Sequence, residues 1–357
     1  MRADRLKIAV YGAGAMGTVL GALLTDCGRD VTLITRNPDH VEGLKTKGAT
    51  IRLTATGGEW KIPVSACTPS EMTDKYDAIF LMTKQRENKK IVEFLLPYLT
   101  PSGIICTTQN GFPERSVAEI VGNERTYGAV MSWGATFVGG GEVELTSKPE
   151  AMTVAVGGYQ NANEMTDTLV ELLTPIGEKL GNAEFVKRTD NLAGMRWSKL
   201  ATNASFSGLS VVTGLTFGEI CRKWKTRKLA LGLMRETFAV ANASGVRLEP
   251  MQGHDMQKML GGKGFFKTAL GLFLLPIAMR KHKKLVSGML KDVEKGRKCE
   301  IDYIDGVVSS VGDEYGVDTP IADKVVELTH GIENGLYEIS YKNVDFFFVN
   351  KIKMIKI

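Results

Sequence analysis

The sequence predicts an α/β protein: a Rossmann-type, doubly wound parallel sheet followed by a mainly α-helical domain. Three observations predict it. A buried-strand pattern at residues 6–11 runs straight into a Gly-x-Gly-x-x-Gly loop at Gly12, Gly14 and Gly17. Apolar strand-like runs then alternate with helix-like stretches as far as residue 186, and beyond Asn191 the periodicity is helical up to the tail.

In order along the chain, residues 16–25 form a helix ended near Gly28. Residues 30–35 form a second strand and 38–47 a short helix, with further apolar strands at 76–83 and 104–108. Strand-like runs continue at 127–133, 142–145, 152–156 and 184–186, with a helix over 164–180. Helices are then expected at 191–207, 225–243, 285–295, 300–315 and 320–339. The domain boundary falls near Arg188, giving a dinucleotide-binding domain at 1–188, a helical domain at 189–345 and an unassigned tail at 346–357.

Two domains suit a chain of 357 residues, and 43% hydrophobic with 24% charged residues excludes wholesale disorder and fibrous classes. The net charge of +5 is mild, and basic residues are scattered outside Arg280, Lys281, His282, Lys283 and Lys284, so a nucleic-acid partner is not expected. Cys27, Cys67, Cys106, Cys221 and Cys299 lie far apart without metal-ligand spacing, which suggests reduced thiols in a cytoplasmic protein and no metal. The uncharged run 8–25 resembles a secretory core only superficially, since its glycines keep the register of a phosphate loop.

In Gly12-Ala13-Gly14-Ala15-Met16-Gly17, the first glycine permits a tight turn, the second lets backbone approach a pyrophosphate, and the third lets the helix pack on the strand. After the second strand, where an NAD site would carry Asp or Glu, the chain has Thr35 and Arg36. A guanidinium can grip a 2′-phosphate that a carboxylate would repel, so the cofactor is expected to be NADPH/NADP. The bland alternative is a solvated loop arginine.

Ligands of open α/β sheets sit beyond the carboxyl ends of the strands, where Asn110 and Lys84 both fall. Asn110 could meet the nicotinamide or a substrate oxygen, or simply make an Asn-Gly turn with Gly111. After Lys199 no charged residue occurs until Glu219, so that helix is expected to be buried, with Lys199, Asn203 and Ser207 as a polar stripe spaced by four. Partial desolvation would lower the lysine pKa and suit it to proton donation, whereas a snorkelling lysine would stay ordinary. Glu300 falls on the inward stripe of Ile304, Val307, Val308 and Val311, while Asp302, Asp305 and Ser309 share a face expected to be solvated. An acid favoured by the helix dipole is the alternative reading of Glu300.

Together these residues resemble the ketopantoate reductase (2-dehydropantoate 2-reductase) family. Four ordered blocks carry the resemblance: Lys7 to Gly17, Gln109-Asn110-Gly111, Trp197 to Asn203, and Glu300 to Gly306. The resemblance implies a Rossmann domain, a helical substrate domain with a cleft between them, NADPH as hydride donor and a small 2-oxo acid as substrate. It also implies that Lys199 is the general acid, Asn203 a substrate contact, and Glu300 the ligand of the substrate hydroxyl. Asn110 would stand beside the nicotinamide, and Arg36 would bind the 2′-phosphate.

There are departures. Ser207 and Gly208 stand where the family commonly has Asn-Pro, Gly288 where it has serine, and Asp305 where it has asparagine. These keep open a reductase of another 2-oxo acid or of an opine-like substrate, and a protein that senses NADPH without chemistry is the reading from another class. The stretch 251–284 is longer than the family resemblance implies. Its uncharged part, 264–279, is too short to span a bilayer and contains Pro276. A cover for the cleft or a subunit contact, as in a homodimer, is preferred there over membrane contact.

Overall fold

The computed structural model describes residues 3–160, 162–251 and 253–348. They form two compact units, the first comprising residues up to Gln109 together with Pro113–Leu192, the second Asn110–Phe112 together with the chain from Ala193 onward.

Among the described residues the first unit holds all the strands: β1 (Lys7–Tyr11), β2 (Asp30–Ile34), β3 (Ala49–Leu53), β4 (Glu59–Ile62), β5 (Ser65–Cys67), β6 (Tyr76–Leu81), β7 (Leu99–Thr107), β8 (Thr126–Met131), β9 (Ala135–Gly139), β10 (Glu142–Leu145), β11 (Val154–Gly158) and β12 (Val186–Arg188). Eight of them make one sheet in the order β12-β11-β8-β7-β6-β1-β2-β5. All its pairings are parallel except β8 with β11. Helices α1 (Ala15–Asp26), α2 (Pro38–Lys47), α3 (Asn88–Leu95), α4 (Glu114–Val121) and α5 (Glu164–Lys179) supply the crossovers. The apolar runs expected to be strands are so because both faces are covered: Ile8, Val10 and Phe80 belong to one buried cluster, Ala9, Ile79 and Ile105 to another.

A second, four-stranded sheet, β4-β3-β10-β9, is a feature that sequence periodicity did not indicate. It docks through close backbone approaches. A Cβ on Gly43 of α2 would lie 2.0 Å from the Gly140 carbonyl carbon, and the buried His40 takes a hydrogen bond from the Gly141 amide at 3.1 Å.

The second unit is helical: α6 (Leu192–Asn203), α7 (Leu209–Thr213), α8 (Phe217–Arg222), α9 (Trp224–Ala243), α10 (Met256–Leu260), α11 (Phe265–Ala278), α12 (Gly288–Glu294), α13 (Ile301–Tyr315) and α14 (Pro320–Glu333). Leu200, Phe206, Leu233, Phe238, Val308 and Leu328 are among its buried core. A π-helical turn, Ala204–Gly208, joins α6 to α7, so the helix expected over 191–207 runs on with a bulge instead of ending. Two expected ends are corrected. The helix expected to start at Leu285 starts at Gly288, where Ser287 caps the Met289 amide, and that expected to reach Ile339 stops at Glu333. There Gly335 adopts φ 74° and the Leu336 amide returns to the Gly331 carbonyl at 2.8 Å, a glycine-closed end. The unassigned tail begins inside a 3₁₀ segment, Tyr341–Phe347, and residues 349–357 lie outside the described residues.

Candidate functional site

The loop after β1 is built from backbone. Gly12 holds φ 103°, and a Cβ there would come within 2.8 Å of the Met82 carbonyl carbon and the Thr83 nitrogen. A Cβ on Gly17 would sit 2.5 Å from the Gly12 oxygen, whereas one on Gly14 would meet nothing within 4 Å. The first and third glycines are thus required by the fold. The second leaves open space beside the first turn of α1, whose N-cap Gly14 offers no side-chain cap. Amides left without a helical acceptor, at the positive end of a helix, form an anion site. Ala13 donates to the Ile34 carbonyl at 2.9 Å and is wholly buried; Ala15 and Met16 open the helix.

Arg36 follows β2, is exposed, and forms no ion pair among the described residues. Its charge acts on Tyr11 at the end of β1, where it opposes the burial that raises the phenol pKa. Lys84 lies beyond β6, exposed, at the cap of a short 3₁₀ turn, Gln85–Glu87. An arrangement missed in the sequence supports this edge. The Gln109 amide donates to the Thr83 carbonyl at 2.6 Å and to Asn88 Oδ1 at 2.7 Å, and Asn88 donates back and to Ser116. Thr107 donates to the buried Glu114 at 2.6 Å. The run of polar residues Thr107, Thr108, Gln109 and Asn110 closing an apolar strand was the available signal.

In the second unit, Lys199 stands in the middle of α6 and not at its start. It is only partly exposed, and no described residue accepts a hydrogen bond from its ammonium. Desolvation, with the like charge of the fully buried Arg196 added, brings its pKa down to about 7. One turn on, Ser207 donates to Asn203 Oδ1 at 2.6 Å, which orients that carboxamide next to the π-turn. The segment carrying Asn110 belongs to this unit and is fixed there by Phe112, whose ring lies 4.9 Å from that of Trp197 on α6. The exposed Asn110 precedes Gly111, which turns the chain at φ 74°. Glu300 is half-buried at the N-cap of α13, one position before the inward stripe begins at Ile301.

Of the face expected to be solvated, Asp302 is exposed, but Asp305 and the Ser309 hydroxyl are not. Asp305 is wholly buried, neither carboxylate oxygen has a hydrogen-bond partner, and its pKa is raised well above the usual carboxylate range, by burial first and by Glu236 next. The reason is the π-turn: a Cβ on Gly208 would lie 2.7 Å from either oxygen. On Glu236, which accepts from the Ile321 and Ala322 amides at 3.0 Å, burial outweighs those bonds and pushes the pKa up to about 8. At Gly288, a Cβ would enter open space.

Comparison with known proteins gives a consistent result. Two family models match, ketopantoate reductase PanE/ApbA over residues 8–158 and its C-terminal counterpart over residues 191–333. A 2-dehydropantoate 2-reductase of Mesorhizobium japonicum is 28% identical over 93% of this chain and all of its own. Among solved structures, a 2-dehydropantoate 2-reductase from Geobacter metallireducens aligns with TM-score 0.74 at 26% identity, covering 91% of this chain and 99% of its own. D-mandelate dehydrogenase with NADH and anilino(oxo)acetate aligns with TM-score 0.77 at 24% identity over 92% and 99%, a likeness of fold.

Proposed function

This chain belongs to the ketopantoate reductase family of NADP-dependent oxidoreductases, and on that premise we propose that it reduces 2-dehydropantoate to pantoate. The observation that carries the reading is Lys199, an ammonium on an apolar helix with a pKa near 7, one turn from an oriented carboxamide.

The residues present fit the cofactor. The open space beside Gly14 and the uncapped first turn of α1 suit a pyrophosphate, with Arg36 for the 2′-phosphate. When bound, NADPH supplies a hydride to the keto carbon. Lys199 gives its proton to the oxygen that becomes the hydroxyl and is left as a neutral amine, which regains a proton from water. A pKa near neutrality serves both halves of that cycle. Asn203, held by Ser207, orients the 2-oxo acid; Glu300 receives the substrate hydroxyl; Asn110 and Lys84 serve the nicotinamide end.

A second reading, a reductase of a bulkier or less polar 2-oxo acid, is favoured by the open space at Gly288. NADPH oxidation measured against a panel of 2-oxo acids separates the two. Highest kcat/KM on 2-dehydropantoate supports the first reading, highest kcat/KM on another 2-oxo acid supports the second, and turnover of none sinks both.

A further inference from the structure

Helix α11 inverts the usual pattern of a surface helix. Thr268, Gly271, Leu272 and Leu275 are buried. Gly271 packs on Leu231 of α9, and Arg235 of the same helix donates to Thr268 at 2.9 Å, so the face of α11 turned to the core is fixed. What is left outside is apolar: Phe265 is 69% exposed, Phe266 86%, Leu270 53%, Phe273 67% and Ile277 56%. Phe266, Leu270, Phe273 and Ile277 follow the helical period and form one ridge about 17 Å long. A contiguous apolar ridge of this kind marks an interaction surface.

Its charge surroundings say what kind. From Met256 to Lys291 the sequence holds no acidic residue. Lys263 and Lys267 are exposed at the start of α11, and Arg280, Lys281, Lys283 and Lys284 just past its end, none in an ion pair among the described residues. The backbone of that second cluster is pinned to α8, where the Gly218 amide donates to the Lys283 carbonyl at 3.0 Å and the Phe217 amide to that of Leu285. The cations therefore hold a fixed place at the end of the ridge. A second copy of the chain is a poor occupant: with cations at both ends of α11, parallel or antiparallel pairing sets like charges together. An anionic lipid surface satisfies both features at once, taking the aromatic ridge into the headgroup boundary and the cations onto its phosphates. No helix among the described residues is long and apolar enough to cross a membrane, which is compatible with one lying in its surface.

We propose that α11 and the basic segment Arg280–Lys284 dock this chain peripherally on anionic lipid. Co-sedimentation of the full chain with vesicles tests it, using phosphatidylcholine alone and phosphatidylcholine mixed with phosphatidylserine. Binding is expected on the mixed vesicles, weakened by salt, and near background on the neutral ones. Replacing Lys281 and Lys283 by alanine should weaken it about thirtyfold, from the attraction of each lysine to an anionic surface. F266S/F273S should abolish it, and both variants should keep the wild-type rate of NADPH oxidation. Failure of the wild type to sediment, or binding indifferent to both variants, overturns the proposal. So does self-association in sedimentation velocity that F266S/F273S removes without any vesicle binding, which would give the ridge to a second copy.

Discussion

The glycine loop of the first unit, suited to an anion, and the lysine helix of the second, which carries a cation, are built by opposite means. Around Gly12, Gly14 and Gly17 the work is done by main chain: two positions tolerate no Cβ, one faces open space, and the amides of α1 are left uncapped. Around Lys199 it is done by packing, since an apolar helix and a buried Arg196 lower the pKa of one ammonium to about 7. A backbone site depends on residue type at fixed spacing, while a desolvated side chain depends on everything packed near it. The first can be read in sequence, and the second needs coordinates.

The largest expected effect tests the packed side. Lys199→Ala should lower kcat by about 10² to 10⁴, the usual worth of a positioned acid, with NADPH affinity near wild type. The wild-type kcat/KM should fall as pH rises through about 7, because the protonated amine is the active form. The variant should lose that limb of the profile. A variant keeping more than about a tenth of wild-type kcat would remove Lys199 from the chemistry.

On the backbone side, two substitutions two residues apart should behave differently. Gly12→Ala forces a Cβ against the Met82–Thr83 peptide at a positive φ and should destabilise the first unit, by about 1–3 kcal/mol in denaturant melts. Gly14→Ala should fold normally and lose roughly 30- to 150-fold in NADPH affinity by titration, about 2–3 kcal/mol of backbone contact to pyrophosphate. Equal folding and binding defects in both would show the open space to be incidental.

Arg36→Ala sharpens the same comparison, because it removes the one side chain on which cofactor choice is expected to rest. The preference for NADPH over NADH should drop by about 10- to 150-fold in dissociation constants, the worth of one charge-assisted contact. An unchanged preference would move the 2′-phosphate elsewhere.

Legibility followed the same division. The strand, glycine loop and alternation of the large sheet were evident because residues 8–11 of β1, 78–81 of β6 and 104–106 of β7 are continuously apolar and buried. The small sheet was not, since β3 and β4 span only five and four residues and β3 takes its other partner, β10, from some ninety residues away, a pairing that alternation within each strand does not reveal. The polar stripe of Lys199, Asn203 and Ser207 was legible from spacing, but the π-turn between the last two was not. Nor was the burial of Asp305: the buried face of α13 is Ile301, Ile304, Asp305, Val308 and Gly312, turned from the expected stripe of Ile304, Val307, Val308 and Val311 so that it takes in the aspartate.

Asp305 gives the smallest expected effect and the most direct measure of what packing adds. Its carboxyl is surrounded by the π-turn and by Val325-bearing α14, and no donor reaches either oxygen, so the neutral form is favoured in the fold. In the unfolded chain the group ionises near pH 4. A pKa raised on folding contributes stability that is fully present below that value and is lost as pH climbs toward the folded pKa. Glu236, pushed up to about 8, acts in the same direction, so the second unit should be less stable at pH 8 than at pH 5. Asp305→Asn keeps the shape and removes the titration. It should flatten the fall in urea midpoint between those pH values and raise stability at pH 8 by roughly 1 kcal/mol. Glu236→Gln separates the two acids, since it would lose the helix-capping carboxylate that holds the Ile321 and Ala322 amides and should destabilise at both pH values. A wild-type slope retained in Asp305→Asn would mean that the carboxyl is already ionised inside the fold, and the contrast between a backbone-built and a packing-built half would lose its clearest case.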